Sequence, residues 1–424
     1  RPFGRLATLT NMQATMAFQV RYPGIGFSAT GTFKSKSSCT TKRIASHRKF
    51  QAPSQSRLSC LRVEAAVNVG TRQATRSVRK VEKFTRLPVW PVVPGVIITV
   101  LDILRLRGLA AALEHRFGGR VCPMMFTPEE TDPFVLCVHH RHSFWAWDPI
   151  RPLFRVLLPE GFPAHPHRGF ETVTYILQGA MRHRDSTGVK QEYGAGSVQW
   201  MTAGRGMLHE EMWVTDLPNH ELYQIWVNLP SQYKMCDPRI QFLGKDVEGN
   251  PSLGDIPVHN TGDGVSVKVI GSAYKDAKSP VTTFSPVTLF HVTVQPGSTF
   301  SHEMPASHTC MLYVRKGEGS VLGAGKTTLP TYATAFLGND GEKVEIKNEG
   351  KYELDFLLMG GQPIREPIAA QGAMVMNSQS DVNRAYQEYQ MGTFGIPWEH
   401  VIDDDEWQEH VSKHAHLMSR DRRL

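Results

Sequence analysis

From Phe154 onward the chain is a succession of short apolar runs broken by turn residues, and no other feature limits its fold as strongly. ETVTYIL (171–177), ELYQIWVNL (221–229), VSVKVIG (265–271), VTLFHVTV (287–294), CMLYVRKG (310–317) and YELDFLLMG (352–360) are examples. Each is rich in β-branched and aromatic residues and is bounded by Gly, Pro, Asp or Asn. Many strands of this length with frequent turns predict an all-β sandwich or barrel. Alternation along 171–177 sets Tyr175 on one face and Thr172, Thr174 and Ile176 on the other. One helix is predicted, Ser380 to Met391, where Val382, Ala385, Tyr386 and Tyr389 recur at helical spacing.

The front of the chain has a different texture. Residues 1–66 are rich in Ser, Thr, Arg and Ala, show no hydrophobic periodicity, and predict a disordered, transit-peptide-like extension with small residues at Val63–Ala66 suited to cleavage. A plastid address is expected first and a mitochondrial one next; cytoplasm or nucleus follows if the extension is not translated. Thr71 to Phe84 reads as the start of a mature protein. Leu87 to Leu104 is apolar, yet it falls short of the roughly 20 residues a span needs and is interrupted by Pro88, Pro91, Pro94 and Asp102, so no membrane segment is expected.

The formal net charge of +7 raises nucleic acid as a partner. Its distribution argues against direct binding: residues 1–86 hold only Glu64 and Glu82 as acids, so the excess sits in the extension. Cysteines 39, 60, 122, 137, 236 and 310 form no CxxC and no regular framework, and read as ordinary thiols.

Two segments carry chemistry: GFPAHPHRGFETVTYILQG (161–179) and GAGSVQWMTAGRGMLHEEM (194–212). His165 and His167 are one residue apart, so on an extended strand both imidazoles project from one face. Pro166 between them cannot donate to a ladder, which suits an edge or a strand start. His209 and Glu211 repeat the spacing. Two such pairs on facing strands of a small barrel present four ligands inward. Three neutral imidazoles and a carboxylate suit a divalent first-row metal. A structural zinc site would close with four ligands, often thiolates; here open positions would remain for oxygen or a chelating substrate. The set therefore points to Fe(II), with Mn, Ni, Cu or Zn as substitutes.

The order GxxxHxH, Glu171, Gly179 and then GxxxxxxxGxGxxH resembles the paired motifs of cupins. The wording HPHRGFETVTY and QWMTAGRGxxHxEM is similar to the pirin family in particular, and the resemblance runs on through LYQIWVNLPSQYKM (222–235) and GQPIREPIAAQGAMVMNS (361–378). It covers about 154–395, with weaker echoes at 74–84 and 131–136.

The resemblance implies a bicupin of two antiparallel jelly-roll barrels: an N-terminal, metal-binding cupin at 154–270 and a C-terminal cupin without metal at 285–395, followed by a charged tail at 396–424. In the second barrel His302 and His308 make no same-strand pair. Residues 67–153 are expected to carry the mature N-terminus with insertions, about 85–120 and 137–153, that lack a family counterpart. A retained intron or mis-joined exon is one origin for them and a lineage-specific insertion the other; either would disturb the barrel's first strands. His139, His140 and His142 there are expected to be incidental.

The family's metal ligands fall on His165, His167, His209 and Glu211. The generic cupin glutamate falls on Glu171, where a structural hydrogen bond is expected, to backbone or to Arg168. Trp200 and Met201 are placed either at the pocket or in the core, and Arg168 and His183 receive no catalytic role. The activity implied is oxidation of the flavonol quercetin by O₂, a 2,3-dioxygenase reaction, with Glu211 accepting the substrate proton and the chain a monomer. The alternative is a non-enzymatic, iron-dependent regulator that binds a protein partner.

Overall fold

The computed structural model describes residues 74–418 except 90, 91, 146, 147, 149, 156–158 and 324. The transit-like extension, its cleavage stretch, Cys39 and Cys60 lie outside the described residues. The chain builds two antiparallel β-barrels, each from one seven-stranded and one four-stranded sheet.

In the first barrel the large sheet runs, in spatial order, Arg239–Leu243, Val198–Thr202, Phe170–Gln178, Asn219–Asn228, Phe134–Ser143, Arg120–Met125 and Leu87–Pro88. Its small sheet is Gly161–His167, Met207–Trp213, Ala180–Asp185 and Lys190–Gly194. In the second barrel the large sheet is Val78–Glu82, Thr334–Leu337, Thr309–Lys316, Leu354–Gly361, Val287–Val294, Val265–Gly271 and Val258–Thr261. Thr299–Glu303, Lys343–Lys347, Gly319–Leu322 and Lys326–Leu329 form its small sheet. The two large sheets pack face to face. Val173, Tyr175, Trp200, Tyr223 and Ile225 from one meet Leu289, Met311, Tyr313 and Leu357 from the other in one buried core. This is what period-two alternation demands when one face of each sheet lines a barrel and the other a partner barrel.

Strand pairing draws the divisions differently from those expected. The expected disturbance of the first strands is corrected: Phe134–Ser143 lies inside the large sheet, paired with Asn219–Asn228 on one side and Arg120–Met125 on the other. Pro123 is tolerated because its strand meets only the two-residue Leu87–Pro88 on its far side, opposite Val121 and Arg120, so no ladder bond is lost. Val258–Thr261 and Val265–Gly271, placed with the first barrel by sequence, pair into the second.

The chain ends cross over. Val78–Glu82 adds an edge strand to the second barrel, and buried Arg76 before it donates to the His308 carbonyl at 2.8 Å. At the other end Met374, Met376, Val382, Ala385, Phe394, Trp398 and Trp407 pack with Leu208 on the first barrel. The predicted helix forms at Gln379–Gln390, with Ser378 as its N-cap accepting from the Asp381 amide at 3.2 Å. It has company: Val92–Ile103, Arg107–Phe117 and Asp404–His414 are also helical, the last inside the segment expected to be a tail. No helix among the described residues is long and apolar enough to cross a membrane. Cys122, Cys137, Cys236 and Cys310 are free thiols.

Candidate metal centre

Strands Gly161–His167 and Met207–Trp213 are neighbours in the small sheet of the first barrel, with His165 opposite His209 and His167 opposite Met207. The i, i+2 spacing puts His165 and His167 on the inward face, and His209 joins them from the adjacent strand of the same sheet rather than from a facing one. One ligand nitrogen from each lies within 4.8 Å of the other two. His165 Nε2 and His167 Nε2 are 3.1 Å apart. Two ligands of one ion, each about 2.1 Å from it, stand at about this separation.

His167 and His209 are fully buried, and His165 is half-buried. Burial pushes the His165 imidazole down to about 4 and holds the other two well below their ordinary range, so all three rings are neutral at pH 7. That is the form that ligates. His209 Nε2 is buried without a hydrogen-bond partner. An orphaned nitrogen at the centre of a histidine cluster is what a metal would satisfy. Phe170 and Trp226 stack edge-on against His167 at 5.1 and 5.5 Å and wall the cluster from one side.

Glu211 leaves the same strand as His209, and a register shift separates their pairings. It stands outside the close histidine group. Thr174 Oγ1 donates to its Oε1 at 2.8 Å, and Gln224 Nε2 donates to its Oε2 at 3.2 Å, both from the inward face of the large sheet. Burial raises its pKa. Glu210, pointing the other way, is buried against Arg184.

The remaining sequence candidates find their places. Glu171 accepts from Thr202 Oγ1 at 2.6 Å, not from Arg168, and burial pushes its carboxyl up to about 7. Arg168 instead pairs with Glu388 at 2.6 Å and lies 4.4 Å from the Phe394 ring, tying the residue after His167 to the C-terminal helix. Trp200 and Met201 are core side chains, Trp200 in the seam between barrels and Met201 beside Met418. His139 is built into that seam: Tyr313 lies 3.0 Å from its Nδ1 and Glu221 lies 2.8 Å from its Nε2. His140 and His142 stack on one another at 5.4 Å. His183, given no role from sequence, has its Nδ1 3.5 Å from His209 Nδ1. The signal for it was present, an imidazole at the period-two position before Asp185 in HRD, but only strand pairing shows what it faces.

The sequence profile of pirin matches residues 119–227, and that of the pirin C-terminal cupin domain matches residues 289–395. The chain belongs to the pirin family. The first match begins at 119 and so spans the stretch 137–153. A pirin-like protein of Solanum lycopersicum is 43% identical over 243 residues, spanning 57% of this chain and 80% of that protein. Human pirin is 37% identical over 240 residues, 56% of this chain and 79% of that protein. Among solved structures, quercetin 2,3-dioxygenase from Acinetobacter baumannii superposes with a TM-score of 0.59 at 27% identity, covering 76% of this chain and 99% of that one. The architecture is thus the pirin bicupin, with its histidine cluster in the N-terminal barrel.

Proposed function

We propose that this pirin holds one divalent transition metal, iron by preference, on His165, His167, His209 and Glu211, and uses it to oxidise a flavonol of the quercetin type with O₂. The observation that carries the reading is the convergence of three neutral imidazoles, two of them fully buried, on one point of a barrel interior. The likeness to a quercetin 2,3-dioxygenase supports the substrate class. Glu211 enters as the fourth ligand because its strand already supplies His209.

When bound, the metal supplies Lewis acidity toward a hydroxyl and adjacent carbonyl and a redox partner for O₂. The protein does the rest. Thr174 and Gln224 hold the Glu211 carboxylate in one orientation, within reach of a flavonol hydroxyl proton on the metal side of the barrel. Phe170 and Trp226 keep water from the ligand face of His167.

Anaerobic iron loading followed by oxygen and quercetin tests the reading. Loss of the flavonol absorbance with release of carbon monoxide is expected; bound iron with neither would sink the enzyme. His165→Ala is expected to lose the metal, and Glu211→Gln to slow turnover by about 10²–10⁴-fold. Full metal retention in both His165→Ala and Glu211→Ala would remove the four-ligand set. The regulatory alternative draws on the Arg168–Glu388 pair, which links the ligand strand to a surface helix. Equal recovery of protein partners by ferrous and ferric protein would count against it.

A further inference from the structure

Beside the ligand His209 lies a buried pair that the proposed reaction does not use. His183 and Asp185 are both fully buried on strand Ala180–Asp185, which runs antiparallel to the His209 strand with Asp185 opposite His209 and His183 opposite Glu211. Asp185 Oδ1 accepts from the Thr187 amide at 2.7 Å, the Thr187 hydroxyl at 2.6 Å and the Val189 amide at 3.2 Å. Three donors on one oxygen fix the orientation of the carboxylate. Its other oxygen, Oδ2, faces His183 Nε2 at 3.1 Å.

The proton inventory then follows from the partners. A carboxylate only accepts, so His183 carries its proton on Nε2. Its Nδ1 is left with a lone pair, and that lone pair faces His209 Nδ1 at 3.5 Å. Two lone pairs would repel there, so His209 carries its proton on Nδ1 and donates it to His183. His209 Nε2 is thereby the bare nitrogen, and it is the atom found buried without a partner. His165 is set the same way by a different device, its Nδ1 standing 2.8 Å from the Pro163 carbonyl oxygen, which leaves Nε2 bare.

We propose that Asp185 and His183 form a positioning relay that fixes His209 in the tautomer able to bind metal and strengthens it as a donor. The inference rests on the metal-site reading above. Hydrogen bonds to the far nitrogen of a ligand histidine orient the ring and raise its basicity. Here an extra imidazole stands between carboxylate and ligand, so the effect of the carboxylate on metal is routed through a single proton position.

Asp185→Asn inverts the relay without changing its shape. The amide oxygen keeps the bonds from Thr187 and Val189, so the amide nitrogen faces His183 Nε2 and donates to it. His183 must then carry its proton on Nδ1, and His209 is driven to the Nε2–H tautomer, which cannot ligate. A carboxylate-to-amide change inverts a histidine tautomer in a catalytic triad by the same logic. Two measurements on metal-free and cobalt-titrated protein decide the matter. Long-range proton–nitrogen NMR of the histidine rings is expected to show His209 protonated on Nδ1 in the wild type and on Nε2 in Asp185→Asn. Co²⁺ affinity, read by chelator competition and the visible d–d bands, is expected to fall about 10–100-fold.

His183→Gln in the Asp185→Asn background is expected to restore affinity, because the Gln amide oxygen can accept from His209 without the carboxylate. A merely structural role for Asp185 predicts no such rescue. Should Asp185→Asn fail to fold, His183→Phe carries the test, since it removes the acceptor for His209 and leaves the Asp185 turn in place; a tenfold or greater loss of Co²⁺ affinity is expected. His165→Ala is the control for the site itself. If His165→Ala abolishes Co²⁺ binding while Asp185→Asn or His183→Phe binds within threefold of wild type, the relay is overturned and the site stands. If His165→Ala binds Co²⁺ like wild type, the site reading fails first.

Discussion

Burial acts on the histidines of this protein as a group, and the consequence is a pH dependence with a definite sign. His139, His165 and His302 are pushed down to about 4 and His140 to about 3, desolvation being the largest cause in each. Unfolded, they would titrate near 6.5. As pH falls from about 6.5 toward 4 the unfolded chain takes up protons that the folded chain refuses, so stability is lost across that window. Glu171, raised to about 7, and Asp132 and Glu211, also raised by burial, work the other way, but they are three carboxyls against nine imidazoles held low. Below that, Glu221 and Asp355, held low by His139, His291 and Arg315 against their own burial, lose their contribution as they protonate, which extends the decline. The urea midpoint of the metal-free protein is therefore expected to be lower at pH 5.5 than at pH 7.5; a flat or rising midpoint would mean these rings are not buried and neutral. That His165 and His167 share a face was legible in the sequence because i, i+2 spacing on a strand is local geometry. Thr174, Gln224 and His183 were not, because what they face is decided by strands 13 to 50 residues away.

At the scale of elements, the contrast between the two C-terminal helices is instructive. Gln379–Gln390 was readable because Val382, Ala385, Tyr386 and Tyr389 make a broad apolar stripe. Asp404–His414 has better capping, with Asp403 accepting from the Glu406 amide at 2.8 Å, acids in the first turn and Lys413 and His414 in the last. It reads as a solvated tail because only Trp407 and Val411, four apart, are apolar and buried. What holds it is tertiary: Trp407 packs edge-on against Trp398 at 6.3 Å, and the Arg184 guanidinium lies 5.7 Å from its ring. Arg184 also donates to the Ile402 carbonyl at 3.1 Å, while its guanidinium is paired with Glu210 on the ligand strand. Trp407→Ala is expected to destabilise the protein by about 3–5 kcal/mol, the range for emptying a buried aromatic site. Urea unfolding measures it, and a loss under about 1 kcal/mol would mean the helix is not docked. The strand Phe134–Ser143 owes its place to the same kind of contact. In its run HHRH, His139 is buried by its bond to Glu221 on the neighbouring strand and by Tyr313 from the other barrel.

For the whole molecule, the crossing of the chain ends bears most on how it unfolds. The first barrel is covered by the last segment of the chain, and the second is edged by the first described strand. Gly169, at φ +84°, approaches the Val375 carbonyl so closely that a Cβ would collide with it, while the Arg168 amide donates to the Ala373 carbonyl at 3.2 Å and the Val375 amide donates to the Arg168 carbonyl at 3.0 Å. Buried Lys234 staples the same junction, donating to Gly169 O at 2.8 Å, Asn228 Oδ1 at 2.6 Å and Val375 O at 2.9 Å. Neither barrel can open without exposing the shared face of large side chains and releasing a chain end from the other, so the two are expected to unfold as one unit. The distribution of tryptophan makes this measurable. All eight lie at positions 90, 145, 147, 200, 213, 226, 398 and 407, so none comes from the stretch 227–397 that builds nearly all of the second barrel. Among the described tryptophans, Trp145, Trp213, Trp226, Trp398 and Trp407 thus report on the first barrel and its covering and Trp200 on the seam, while far-ultraviolet circular dichroism reports on both barrels. The two probes are expected to give coincident urea midpoints in the metal-free protein, and added metal to raise both together, since binding to the native state alone stabilises everything that unfolds with it. A fluorescence transition that moves with metal while the dichroism splits into a shifted and an unshifted step would show two independent barrels, and the crossed ends would then be latches of no energetic weight.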